Sequence, residues 1–260
     1  NANTQKSING LNNYVREAFT KNYWLHEVYS EEVRTAHTNG DIHIHDLDFY
    51  GKTLNCVNIP LGRLLSEGFN NGHGFIRPPR RPTSATALAA IVLQSSQNDM
   101  FGGQSFGFFD YDMAPFMNNA TEEEVFQAME ALIYNLNSMH SRAGAQVPFS
   151  SLNLGLDTSE NGRKVIRNVL KAYAKGLGRG ENPIFPNVIF RVKKGVNMDP
   201  GDPNYDLFKL AISVAARRMN PTFSFMDTSY NKEYGGDVAY MGCRTRVIAN
   251  RRGPAVTTGR

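Results

Sequence analysis

The sequence predicts an α/β protein with a parallel sheet, and three observations carry that prediction. Between residues 149 and 226, strand and helix signals alternate: strand Phe149–Leu154, helix Gly162–Lys175 ended by Gly176, strand Val188–Val192, helix Asn204–Met219 ended before Pro221, and strand Thr222–Met226. Strand, helix, strand implies parallel pairing through right-handed crossovers, so all three strands share one sheet with the helices outside it. Upstream, Thr121-Glu-Glu-Glu124 has the form of a capping box, and Val125, Met129, Leu132, Leu136 and Met139 follow it on one helical stripe.

The earlier part of the chain is helical before it is extended. Leu11, Tyr14, Val15, Ala18 and Phe19 share a face, and Val33, Ala36 and His37 continue a second helix that Asn39-Gly40 ends. Asp41-Ile-His-Ile-His-Asp46 alternates polar and apolar residues, which predicts a short strand with His43 and His45 on one side. Pro78-Pro-Arg-Arg-Pro82 interrupts the chain, and Thr83 or Ser84 is expected to cap a helix of small residues from Ala85 to about Gln97. Gly102-Gly103 breaks the pattern again. The capping-box helix is expected to end near His140, whose charge suits a C-terminal dipole.

With 260 residues, 41% hydrophobic, and 28 Lys+Arg against 24 Asp+Glu, the chain has a globular composition and enough length for a large core. It has no apolar run of about eighteen residues, so no membrane partner is expected. Asn1–Asn13 lacks the build of a signal peptide. Two cysteines, Cys56 and Cys243, exclude a disulfide scaffold and a four-cysteine zinc site, and a cytoplasmic location is expected. A formal charge of +4 suits an anionic ligand such as a nucleotide. Apart from Arg77–Arg81 and Arg244–Arg252 the basic residues are scattered, so no nucleic-acid partner is expected.

Few residues stand out chemically. Gly242 lets the backbone bend next to Cys243, and Arg244 and Arg246 favour a thiolate there; a buried structural thiol is the competing reading. Cys56, taken singly, reads as core. His43 and His45 between Asp41 and Asp46 suit proton transfer, but His-x-His supplies at most two metal ligands, so no metal site is expected. Neither glycine-rich stretch, Phe101–Gly107 or Gly176–Gly180, fits a phosphate-binding fingerprint.

Several phrases are more specific together than singly: Asp41-Ile-His-Ile-His-Asp-Leu-Asp48, Asn55-Cys56, Ser95-Ser-Gln-Asn-Asp-Met-Phe-Gly-Gly-Gln-Ser105, Pro148-Phe-Ser-Ser-Leu-Asn153, Pro183-Ile-Phe-Pro-Asn187, Asp202-Pro-Asn-Tyr-Asp206, Arg218-Met-Asn-Pro221 and Tyr240-Met-Gly-Cys-Arg-Thr245. In this order, from about residue 5 to residue 260, the chain resembles the large subunit of the anaerobic (class III) ribonucleotide reductases, which are glycyl-radical enzymes.

The resemblance implies the first half of a ten-stranded α/β barrel made of two five-stranded parallel half-barrels, with a finger loop threaded inside. Residues 1–260 would be the N-terminal part of the catalytic barrel domain, without the ATP-cone, the second half-barrel or the glycyl-radical domain. It implies reduction of ribonucleoside triphosphates to deoxyribonucleotides for DNA synthesis and repair. Cys243 would be the thiyl radical at the finger-loop tip and Cys56 the second redox cysteine. His43 would assist formate binding or proton delivery, and Asn55 would contact substrate. The expected cofactors are a glycyl radical elsewhere in the full-length chain, formate as reductant with a thioredoxin-type dithiol as the alternative, dNTP and ATP effectors, and structural zinc in the C-terminal part. The expected partners are a radical-SAM activating protein with an iron–sulfur cluster and S-adenosylmethionine, and a second copy in a homodimer. Effectors would bind between the Thr83–Gln97 and Glu122–Ser141 helices, with Gly155–Gly162 as specificity loop. Other glycyl-radical enzymes, a cobalamin-dependent reductase and a non-catalytic nucleotide-binding subunit are the alternatives. Alone, the chain is expected to be inactive and unstable, because an open half-barrel would expose an apolar inner face.

Overall fold

The computed structural model describes residues 7–49, 56–142, 146–233, 237–242 and 245–247. At its centre is a five-stranded sheet: β1 (Val57–Ile59), β2 (Gln104–Phe106), β3 (Ser150–Leu154), β4 (Asn187–Val192) and β5 (Thr222–Phe225). The strands lie side by side in chain order, and every adjacent pair is parallel. This is the expected half-barrel sheet. Periodicity found its last three strands. β1 and β2 are three residues each, too short to show alternation.

Among the described residues, six helices cover one face of the sheet and two more precede them in the chain. These are α1 (Ile8–Tyr23), α2 (Glu31–Asn39), α3 (Leu61–Glu67), α4 (Pro82–Ser96), α5 (Phe109–Met113), α6 (Glu122–Ser138), α7 (Glu160–Lys175) and α8 (Tyr205–Arg218), of which α3 to α8 contribute to the core. Thr121 and Glu124 form the expected capping box, and Val125, Met129, Leu132 and Leu136 are buried. Met139, the last member of that stripe, is exposed, because the backbone turns extended there and leaves His140 beyond the helix. The main core, with Phe106, Leu152, Leu154, Val188, Phe190 and Val192 from the strands, packs on Leu93, Leu132, Val169, Ala211 and their neighbours.

Three local expectations are corrected. Asp41–Asp46 is not a strand: it is a run of bends and turns, with Asp46 at a left-handed φ of 48° that leads into a short 3-10 turn at Leu47–Phe49. Without a neighbouring strand to pair with, the alternation has no ladder to stabilise it. Second, α4 starts at Pro82 with Arg81 as its cap, so neither Thr83 nor Ser84 caps it; proline occupies the first turn, where no N–H is needed. Third, α7 begins at Glu160 behind the Ser159 cap, so the loop after β3 is shorter than Gly155–Gly162.

Candidate functional site

Strand alternation divides the sheet. Even positions of β2 to β4, such as Phe106, Leu152 and Phe190, face the helices, and odd positions face the other way. On that second face stand Ser105, Ser151, Asn153, Asn187 and Arg191, and against it lies a hairpin in which Ala239–Tyr240 pairs antiparallel with Arg246–Val247. The expected apolar inner face is thus largely polar. Its apolar part is a small cluster of Leu156, Ile189, Met226, Val238 and Tyr240.

The hairpin is held by directional bonds. Asn153, fully buried, donates from Nδ2 to the Tyr240 carbonyl at 2.7 Å and accepts the Tyr240 N–H at Oδ1, 2.8 Å. Its amide therefore does what a neighbouring strand would do. Ser105 Oγ donates to the same carbonyl at 2.7 Å. On the far side, the Tyr240 hydroxyl donates to Asn231 Oδ1 at 2.9 Å, and the Arg246 guanidinium lies over the Tyr230 ring. The approach is close: a Cβ on Gly107 would stand 2.8 Å from Ala239 Cβ and 2.8 Å from Asn58 Oδ1. Ser105 and Asn153 carried no role in the sequence reading. The signal was there as polar residues at alternate strand positions, but it names no partner.

The hairpin turn begins at Gly242, over the N-terminal ends of the strands. A Cβ on Gly242 would lie 3.6 Å from both Ser151 Oγ and Asn187 Nδ2, and one on Gly103 would lie 3.8 Å from the Gly242 nitrogen. Cys56 enters the sheet at the same place, since the N–H of Val57, the next residue, donates to the Gly103 carbonyl at 3.1 Å. Val57 and Ile59 belong to the helix-side core, so alternation gives half-buried Cys56 the face of Asn58, which is the hairpin face. Cys243, next after Gly242, and Asn55 lie outside the described residues.

A cleft of about 770 Å³ is lined by Phe101, Phe149, Arg142, Arg16, Lys21, His37 and the His43–Phe49 segment. His37 Nδ1 accepts the Ile44 N–H at 3.2 Å, and His43 Nε2 stands 3.4 Å from His45 Nδ1. His43 and His45 therefore do meet, but through a folded loop rather than a strand. Burial holds the Arg142 guanidinium below its ordinary pKa, and burial raises the Asp48 carboxyl above the usual carboxylate range although Arg16 lies 3.7 Å away. Among the described residues, no three His, Cys, Asp or Glu side chains are close enough together to hold a metal ion. No helix among them is long and apolar enough to cross a membrane.

Comparison with known proteins agrees with this architecture. A sequence model of one family, anaerobic ribonucleoside-triphosphate reductase, matches residues 1–260. The Haemophilus influenzae anaerobic ribonucleoside-triphosphate reductase is 32% identical across 92% of this chain, and that of Escherichia coli is 31% identical over the same share. The corresponding protein of Enterobacteria phage T4 is 32% identical over 82% of the chain. The chain spans only 37 to 40% of the length of these relatives. In structure, an anaerobic ribonucleotide reductase superposes with a TM-score of 0.67 at 14% identity, covering 85% of this chain and 40% of its own. The Thermotoga maritima enzyme in complex with dATP and CTP superposes at 0.63 and 13% identity, covering 85% of this chain and 43% of its own.

Proposed function

The chain belongs to the anaerobic ribonucleoside-triphosphate reductase family, and from that premise we propose that it is the first half-barrel of an enzyme that reduces ribonucleoside triphosphates to 2′-deoxyribonucleoside triphosphates. The observation that carries the reading is the meeting at Gly103: Cys56 enters β1 beside it, and Gly242, one residue before Cys243, lies against it. Two sulfurs at one place are what the chemistry needs.

In this reading Cys243, as a thiyl radical, takes the hydrogen from C3′ of the ribose. The adjacent radical weakens the C2′–oxygen bond, and the 2′-hydroxyl leaves as water after protonation. Cys56 supplies a hydrogen atom to the C2′ radical of the resulting 3′-ketone and becomes a thiyl, which the reductant restores to the thiol while passing its second electron to the ketone, and Cys243 returns the C3′ hydrogen. A glycyl radical, made by an iron–sulfur activase that uses S-adenosylmethionine, supplies the one-electron oxidation of Cys243. The two electrons that the net reduction consumes come from formate, oxidised to carbon dioxide, or from a dithiol. His43 lines the cleft with Arg16, Lys21 and Arg142 and is suited to move the proton that the leaving water needs. Asn55, next to Cys56 in sequence, is assigned to substrate. No residue here is assigned to zinc, which belongs to the C-terminal part.

Effectors, dNTP or ATP, are assigned to the α4 and α6 side, where a groove runs between Thr86, Ala87 and Ala90 and the facing Ala128 and Ala131, small residues that allow a close contact between two copies. The enzyme would work in the cytoplasm, as a homodimer, with its activase.

The test is Cys243→Ser in the full-length protein. The glycyl radical should still form by electron paramagnetic resonance, and deoxynucleotide synthesis should be lost; retained synthesis would overturn the assignment. Cys56→Ser should stop complete turnover yet allow hydrogen abstraction and slow substrate breakdown, and full activity in that variant would return Cys56 to the core.

A further inference from the structure

Asp110 has no exposed surface and yet carries four hydrogen bonds. Its Oδ2 accepts the N–H groups of Gly155 (2.8 Å), Leu156 (2.9 Å) and Asp157 (3.1 Å), three consecutive residues of the turn after β3. Its Oδ1 accepts from the equally buried Arg191 at 3.2 Å. The Arg191 guanidinium lies over the Phe108 ring with its carbon 4.7 Å from the centroid. Gly155 sits at φ 122° so close to β4 that a Cβ would be 2.8 Å from the Arg191 carbonyl oxygen. Two fully buried asparagines close the other side: Asn197 Nδ2 donates to the carbonyls of Gly155 (2.8 Å) and Arg191 (2.9 Å), and Asn204 Nδ2 donates to that of Asp157 (2.9 Å).

A turn restrained to this degree has one conformation, and its middle residue shows the use. Leu156 is buried against Val238 and Tyr240 of the hairpin, in the small apolar cluster that also holds Ile189 and Met226. Its N–H is fixed by Asp110, and its side chain is buried in that cluster at the base of the loop that leads to Cys243. We infer that Asp110 is a positioning residue for that loop: it sets the Gly155–Asp157 turn, and Leu156 carries the setting to the hairpin. This rests on the radical reading of Cys243 for its catalytic consequence but not for its structural one. A hydrogen-abstracting sulfur must be placed within a fraction of an ångström, and three N–H bonds to one carboxylate hold in place the turn on which Leu156 meets the hairpin.

Two variants of the full-length protein test it, with a third as comparator. Asp110→Asn keeps the shape and removes the charge, Leu156→Ala removes the contact with the hairpin and leaves the Asp110–Arg191 pair intact, and Leu207→Ala opens the core at the start of α8 without removing an Asp110 bond or a member of the hairpin cluster. Amide exchange in residues 237–242 should quicken roughly tenfold or more in the first two variants relative to Leu207→Ala, with α6 unchanged. Turnover per glycyl radical should fall about 10- to 100-fold in both while the radical content stays as in the parent. If exchange at 237–242 is unaltered, or rises equally in Leu207→Ala, the inference is overturned. Should Asp110→Asn fail to fold, Leu156→Ala decides alone. A parent protein that makes no deoxynucleotide would count against the reductase reading, and the exchange result would still decide the positioning role.

Discussion

On the helix side of the sheet, Phe106, Leu152, Leu154, Val188, Phe190 and Val192 meet a continuous apolar layer. At alternate positions of the same strands, on the hairpin side, stand Ser105, Ser151, Asn153, Asn187 and Arg191. The first set is held by area removed from water, which is non-directional and tolerates small shifts. The second is held by hydrogen bonds and one buried ion pair, which fix distance and angle. The difference teaches a division of labour within single strands: one face supplies stability, the other supplies position. The polar face is also covered, since Ser105, Ser151, Asn153 and Arg191 are fully buried and the hairpin lies against them.

The comparison can be broken by substituting across it. Phe190→Ala, on the helix side, should cost about 3–5 kcal/mol in urea denaturation, since it removes a fully buried ring among Phe208 and Phe223. A loss under about 1 kcal/mol would mean the layer is loosely packed.

One carboxylate sharpens the contrast by sitting among helices. Asp112 packs on the first turn of α3, where it accepts the Gly62 N–H, and burial pushes its pKa up to about 7. A folded-state value above the unfolded one near 3.8 means that the folded protein holds the proton more tightly, so this group's contribution is present at low pH and is lost as pH rises from about 4 to about 7. By the ratio of about 1.4 kcal/mol per pKa unit, the loss is up to about 4 kcal/mol. Asp112→Asn should therefore flatten the stability profile over that range and raise the melting temperature at pH 8; an unchanged slope would exclude the assignment.

Asn153→Ala, on the hairpin side, should cost about 2–3 kcal/mol by leaving the buried Tyr240 N–H without its acceptor, and should expose residues 237–242 to amide exchange. Ser105→Ala should cost only about 1 kcal/mol, because the Tyr240 carbonyl keeps its bond from Asn153. If both variants had equal effects, the hairpin would be held by packing rather than by the amide.

Much of the helix side was legible in the sequence. The capping box at Thr121 and Glu124, the stripe Val125 to Leu136 and the rhythm of β3, α7, β4, α8 and β5 all follow from local spacing. Of the candidate site, the phrases around Cys56 and Cys243 singled out the cysteines through family resemblance alone, and His43 lines a cleft from a loop rather than a strand. The partners of Tyr240 were not legible, because Ser105 and Asn153 lie 135 and 87 positions from it.

By itself, then, the sequence determined the capping-box helix and the strand–helix alternation from β3 to β5, because those are set by neighbours a few residues away. Only the tertiary structure decided that β1 and β2 complete a five-stranded sheet, that Cys56 and Gly242 meet at Gly103, and that Asp110 gathers the turn beneath the hairpin. Hydrogen bonds to buried backbone groups are satisfied by whichever side chain the fold brings near, and that choice is made across the sheet, not along the chain.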